Sequence, residues 1–143
     1  MIAAIRIKGR VNIPKEIKDT LFMLRLRQKF ACSLYLEKPE ILGMLKKVAA
    51  YISYGRINEE ILKKLIEERG RKPGNKKLEK KEVDEIIKLL SKEKLDEAFQ
   101  KIKPFFRLSP PRGGFKKSQK LMWPQGIKGD IGDKINELIE RMI

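Results

Sequence analysis

The chain contains no histidine and a single cysteine, Cys32, among its 143 residues. It therefore offers no imidazole base, no His metal ligand, no intramolecular disulfide and no thiolate cluster. No apolar run approaches the ~20 residues needed to span a bilayer. The opening MIAAIRIKGR is too short in its apolar part, and too soon followed by charge, to read as a secretory signal. These absences lead us to expect a cytoplasmic protein away from membranes, with no metal and no cofactor. Acids are scarce as well: 34 Lys and Arg face 19 Asp and Glu, a formal net charge of +15. Such a surface repels itself and attracts polyanions, nucleic acid first among them.

The shortage of acid is local. Residues 59–97 hold 11 acids and 12 bases, which leaves 22 bases against 8 acids elsewhere, and 104–129 contains no acid at all. A surface merely laced with ion pairs has no reason to segregate its charge, so the pattern points to a polyanion footprint.

Periodicity supplies the elements. Residues 2–8 alternate Ile5 and Ile7 with Arg6 and Lys8, which predicts a half-buried strand with one basic face. Pro14 suits a first helical turn, and Ile17, Leu21 and Leu24 follow at helical spacing to about residue 28. FACSLYL (30–36) predicts a second strand, Pro39 starts a helix striped by Ile41, Leu45 and Val48, and AYISYG (50–55) a third strand. Asn58 should cap a helix carrying Ile61, Leu62, Leu65 and Ile66. Two short helices follow, the second capped by Ser91, then a strand at 105–109 and a final helix from about Asp130 to Met142. The stretch between the last strand and the last helix has neither period and reads as a functional loop. The expected class is α+β: a compact β-α-β-α-β core over 1–56 whose small sheet is covered by helices on one face. A helical elaboration follows over 57–103, then a last strand, basic loop and terminal helix over 104–143, all one structural unit. The near-neutral elaboration should matter least for binding a polyanion.

Candidate contacts follow from residue chemistry. Arginine pairs bidentately with phosphate and stacks on bases, lysine neutralises the backbone, and aromatics stack on unpaired bases. The acid-free stretch supplies Arg107, Arg112, Lys116, Lys117 and Lys120, with Gly113 and Gly114 for close backbone approach and Trp123 for stacking or for the core. Arg25, Arg27 and Lys29 cluster at the end of the first helix, Arg71, Lys76 and Lys77 sit in a turn-rich loop, and Arg6 lies on the basic face of the first strand. GIKGDIGDK (126–134) lacks the G-K-[ST] ending of a phosphate loop. Carboxylates such as Glu67, Glu68, Asp84 and Glu85 each lie near a lysine and read as solvated ion-pair faces. No catalytic site is expected.

Laid end to end, the segments LRLRQKF (24–30), YISYGRIN (51–58), LIEERGRKPGNKKL (65–78), RLSPPRGGFKK (107–117), MWPQG (122–126) and INELIERM (135–142) resemble the large-subunit ribosomal protein family L-thirty, called L-seven in eukaryotes. SPPRGGFKK is the most specific of them. The resemblance implies a core docked on large-subunit 23S-type rRNA near 5S rRNA, with neighbouring ribosomal proteins as further partners and no enzymatic activity. It also implies that Arg112, Gly113, Gly114, Lys116 and Lys117 belong to an RNA-facing tail, and that Arg25 and Arg27 match the family's helix-end arginines. The long basic N-terminal extension of eukaryotic members is missing, and bacterial members stop after the short core, so the archaeal form is the expected one.

Overall fold

The computed structural model describes residues 1–9, 12–74, 76–92, 94–115 and 118–143, with the backbone alone at 118–120. Strand β1 (Ile2–Arg6) runs antiparallel between β2 (Ala31–Tyr35) and β3 (Ile52–Arg56), with Ile5 opposite Cys32 on one side and Ser53 on the other. Because side chains alternate along a strand, β1 feeds two separate cores. Ile2 and Ala4 join Leu21, Leu24, Leu26, Leu45, Val48, Ile52 and Tyr54, under helices α1 (Lys15–Met23) and α2 (Pro39–Lys47). The two helices of residues 1–56 thus share one apolar cluster on one face, and the α+β core is as expected. Pro39 occupies the first helical position, while Pro14 stands one residue earlier, at the N-cap of α1.

Ala3, Ile5 and Ile7 face the other way, into a cluster built from later residues. It comprises α3 (Glu59–Arg69), α4 (Lys80–Ser91), α5 (Leu95–Lys101) and α6 (Lys134–Met142), through Leu65, Ile66, Ile86, Leu90, Ile135 and Ile139 among others. The Asn58 side chain accepts from the Ile61 N–H at 2.9 Å and caps α3 as its sequence position suggested. Ser91 does not cap α5; it ends α4, where its hydroxyl donates to the Ile87 carbonyl, and Lys94 holds the α5 cap position.

With α3 to α6 over the face of Ala3 and Ile5, and α1, α2 and the loop after α1 over the face that carries Arg6, β1 is not half-buried as its alternation suggested. Every residue of β1 is buried, and Arg6 is 2% exposed. Its guanidinium donates to the carbonyls of Lys8 at 2.9 Å, Leu26 at 2.8 Å and Gly9 at 3.1 Å, so it ties the chain after β1 to the loop after α1. Arg6, expected on an exposed basic face, is instead buried, with its guanidinium turned to the backbone.

The sheet extends beyond the core in the order β6-β2-β1-β3-β8-β7. β6 (Phe106–Arg107) pairs antiparallel with β2 at one edge. The stretch read as a structureless loop contains two strands, β7 (Ser118–Met122) and β8 (Gly126–Asp130), and β8 runs parallel to β3 with Ser53 opposite Gly129. Their sequences carry no apolar alternation; β8 is held by backbone pairing, by the Ser53 hydroxyl donating to the Ile127 carbonyl, and by the burial of Ile127 itself. Beyond β8, the chain passes so close to β3 that a Cβ on Gly55 would fall on the Gly132 carbonyl. A separate two-stranded hairpin joins β4 (Arg71–Lys72) to β5 (Lys76–Lys77). Among the described residues, no helix is long and apolar enough to cross a membrane.

Candidate nucleic-acid interface

Helix α1 ends in a Schellman turn: the Arg25 N–H donates to the Phe22 carbonyl at 3.0 Å and the Leu26 N–H to the Leu21 carbonyl at 2.9 Å. The position after the cap in this motif adopts a left-handed backbone and is usually glycine. Here it is Arg25, at φ +63°. Its guanidinium carbon lies 4.8 Å from the centre of the Phe99 ring and 5.9 Å from that of Tyr35. Its Nε is buried without a hydrogen-bond partner among the described residues. A left-handed non-glycine costs about 1–2 kcal/mol and a buried unsatisfied donor about 1–3 kcal/mol. Two such costs at one side chain mark a position held for something other than stability.

Two segments, remote in sequence, meet Arg25 there. Arg25, Arg27, Gln28, Lys29, Ala31, Phe105, Arg107 and Leu108 line a cavity of about 300 Å³. Beside it, Arg69, Arg71, Lys103, Phe105 and Arg107 line another of about 230 Å³. Phe105 and Arg107 belong to both walls, so the two form one groove beside the β6 edge, lined by cations and, among the described residues, by no acid. The far wall is braced. The Lys103 N–H donates to the Arg71 carbonyl at 2.9 Å, Arg71 Nη1 donates to the carbonyls of Gly70 at 2.8 Å and Glu68 at 3.1 Å, and Arg69 Nη2 donates to Ser109 Oγ at 2.7 Å. On the near wall Arg27 covers the exposed Phe22 ring at 3.9 Å, and Lys29 Nζ stands 5.1 Å from the Phe30 ring. A larger cavity of about 510 Å³ lies elsewhere, but it mixes Glu37 and Glu59 with Lys38 and presents no single sign.

The structure thus brings Arg25, Arg27, Lys29, Arg71 and Arg107 together and leaves other candidates outside the groove. Lys76 and Lys77 are exposed in β5 and do not line it. Arg69, Lys103 and Phe105 were missed. A signal existed: Lys103, Phe105 and Arg107 alternate at period two, while Phe106 between them is 1% exposed and points into the core.

The SPPRGG turn sits against the end of α6. The Gly114 N–H donates to the Pro111 carbonyl at 3.0 Å, closing a turn whose third residue, Gly113, has φ +76°, followed by Gly114 at +72°. Only glycine takes both conformations without strain. Arg112 is exposed but not free, since its Nη2 donates to the Glu140 carbonyl at 3.1 Å. Lys116 and Lys117 lie outside the described residues, as does the side chain of Lys120. Trp123 is half-buried and packs against the core, lining with Phe115, Ile127, Leu138 and Arg141 a cleft of about 140 Å³. Phe115 approaches Phe30 with ring centres 6.2 Å apart, which brings the turn alongside the near wall. Cys32 is fully buried, and burial pushes its thiol up to about 12, far from the thiolate a nucleophile requires.

A family model described as "Ribosomal protein L30p/L7e" matches residues 2–52. "Large ribosomal subunit protein uL30" of Aeropyrum pernix is 43% identical, over 100% of this chain and 99% of its own length. The protein of the same name from Ignicoccus hospitalis is 42% identical over 97% and 95%, and that from Methanosphaera stadtmanae 40% identical over the full length of both.

Proposed function

The chain belongs to the ribosomal protein L30p/L7e family, whose role is structural and not enzymatic, and on that footing we propose that it binds large-subunit rRNA through the acid-free groove. It is then a structural constituent of the large subunit of a cytoplasmic ribosome, of archaeal type like its relatives. In this reading 23S-type rRNA is the principal partner, 5S rRNA and neighbouring ribosomal proteins lie within reach, and the SPPRGGFKK turn is a second contact. The observation that carries it is the convergence of residues 25–29, 69–71 and 103–107 on one surface lined by cations with no carboxylate among the described residues. Folding such a surface brings like charges together, and a bound polyphosphate offsets that repulsion while releasing its counterions.

A salt titration of rRNA-fragment binding tests this. Each phosphate neutralised steepens log affinity against log salt by somewhat under one unit. Replacing Arg27, Lys29 and Arg107 with Ala should weaken binding and flatten the slope by about two to three units. An unchanged slope would remove the groove from the interface. The same replacement at Arg112, Lys116 and Lys117 should flatten it comparably if the turn is a second contact.

A further inference from the structure

We propose that the groove receives an unpaired nucleotide, its base lying on the Phe105 ring and its phosphate held among Arg25, Arg27, Lys29 and Arg107. The inference rests on the rRNA-binding reading and deepens it, because it distinguishes a splayed-out single-stranded residue from a duplex backbone.

Shape is the first argument. A duplex needs only a stripe of cations along a surface, whereas this site is concave, and its main cavity of about 300 Å³ sits at the lower end of small-ligand clefts. Chemistry is the second. Phe105 stands in the wall common to both cavities, half-buried and so held in place, with cations on either side. An aromatic face among cations is how single-stranded nucleic acid is held, since every base has a π-face and every residue a phosphate. Against a closed duplex the ring would have no base to meet. The third argument is Arg25, a non-glycine residue in a left-handed backbone whose guanidinium is laid against Phe99 and Tyr35 at the wall of the cavity. A nucleotide brings acceptors on phosphate, ribose and base into the cavity that Arg25 lines.

The full chain should be titrated at fixed salt with a short single-stranded oligoadenylate containing 2-aminopurine, with a blunt RNA duplex of equal length, and with a large-subunit rRNA fragment. The intact chain should prefer the single strand to the duplex and quench the 2-aminopurine emission by stacking. Phe105→Leu, which keeps an apolar side chain but removes the π-face, should weaken single-strand binding about 5- to 100-fold and restore the emission, with duplex binding unchanged. Phe105→Tyr should retain both affinity and quenching, which guards against a Leu variant that merely misfolds. Binding of both RNAs with no response to Phe105→Leu, or an equal loss on both with Phe105→Tyr no better, would overturn the nucleotide site and leave rRNA binding intact. Failure of the intact chain to bind any of the three would overturn the rRNA reading with it.

Discussion

Arg112 and Arg141 carry the same charge and hold each other through the backbone: the Arg112 N–H donates to the Arg141 carbonyl at 2.9 Å, and Arg141 Nε donates back to the Arg112 carbonyl at 3.2 Å. Arg141 Nη2 reaches the same carbonyl and that of Gly114, while Arg112 reaches the Glu140 carbonyl in the last turn of α6. Positive groups at a helix C-terminus meet its unsatisfied carbonyls and the negative end of its dipole, which makes two arginines tolerable side by side. The turn is therefore braced from α6, and Arg112 contributes to the fold as well as to the charged surface.

Arg141→Ala should loosen that turn. The lost bonds are exposed to water, so about 1 kcal/mol is the expected cost, a drop of a few degrees in thermal melts. Amide exchange should quicken at Arg112 and Gly114 and not in β1. Unaltered exchange there would mean that the turn holds itself.

Arg25→Gly should separate stability from binding. Glycine relieves the left-handed backbone and removes the unsatisfied donor, offsetting the lost contacts with Phe99 and Tyr35. The melting temperature of the free protein should hold or rise while affinity for the rRNA fragment falls several-fold. A steep loss of stability would make Arg25 a structural residue.

The Lys128 ammonium is buried beside Lys8, and burial first, then that neighbouring charge, lowers its pKa to about 8. The unfolded chain then binds more protons than the native one between about pH 8 and the usual lysine value, so this group disfavours folding below that window and ceases to as pH rises through it. Lys128→Met should melt higher than the parent at pH 7, by of order 2 kcal/mol, and the gap should close towards pH 10. Comparing the two proteins cancels the opposite trend of the buried Cys32 thiol, whose pKa is raised. A gap independent of pH would contradict the assignment.

Gly55→Ala should be far more damaging than its chemistry suggests. The new methyl would meet the Gly132 backbone, which no rotamer change can move aside. Strand β8 and helix α6 would have to shift from β3, so we expect loss of the cooperative unfolding transition in urea. A mild shift of its midpoint would show that the two backbones have room to part.

The first 56 residues were legible because each element carries its own period. The Ile5/Ile7 alternation, the Ile17–Leu21–Leu24 stripe and the Ile41–Leu45–Val48 stripe are local signals, and local signals survive into the fold. Arg6 was misread because its burial depends on the loop after α1 folding over it, with the Leu26 carbonyl as acceptor, which no alternation within 2–8 can announce. β7 and β8 were missed since GIKGD owes its order to β3, and SQKLM owes its order to β8 in turn. The groove was half-read for the same reason. Arg25, Arg27 and Arg107 were visible as charges, but their meeting around Phe105 depends on where the chain returns after α5. The neutral stretch 57–103 also proves to be cover for Ile5 and Ile7, so it cannot be excised without exposing them to water.

The division of β1 between two cores sets an order of events during synthesis. The cluster under α1 and α2 draws only on residues 2–54, whereas the opposite cluster needs partners as late as Met142. At elongation rates of about 5–20 residues per second, one face of the sheet can close on the order of ten seconds before the other. Until α3, α4 and α5 emerge, Ala3, Ile5, Ile7, Cys32 and Leu34 form a strand surface with nothing on it, and α6 is the last element of its cover. The nascent protein is stickiest when it is half made, and its own last helix is what ends the exposure.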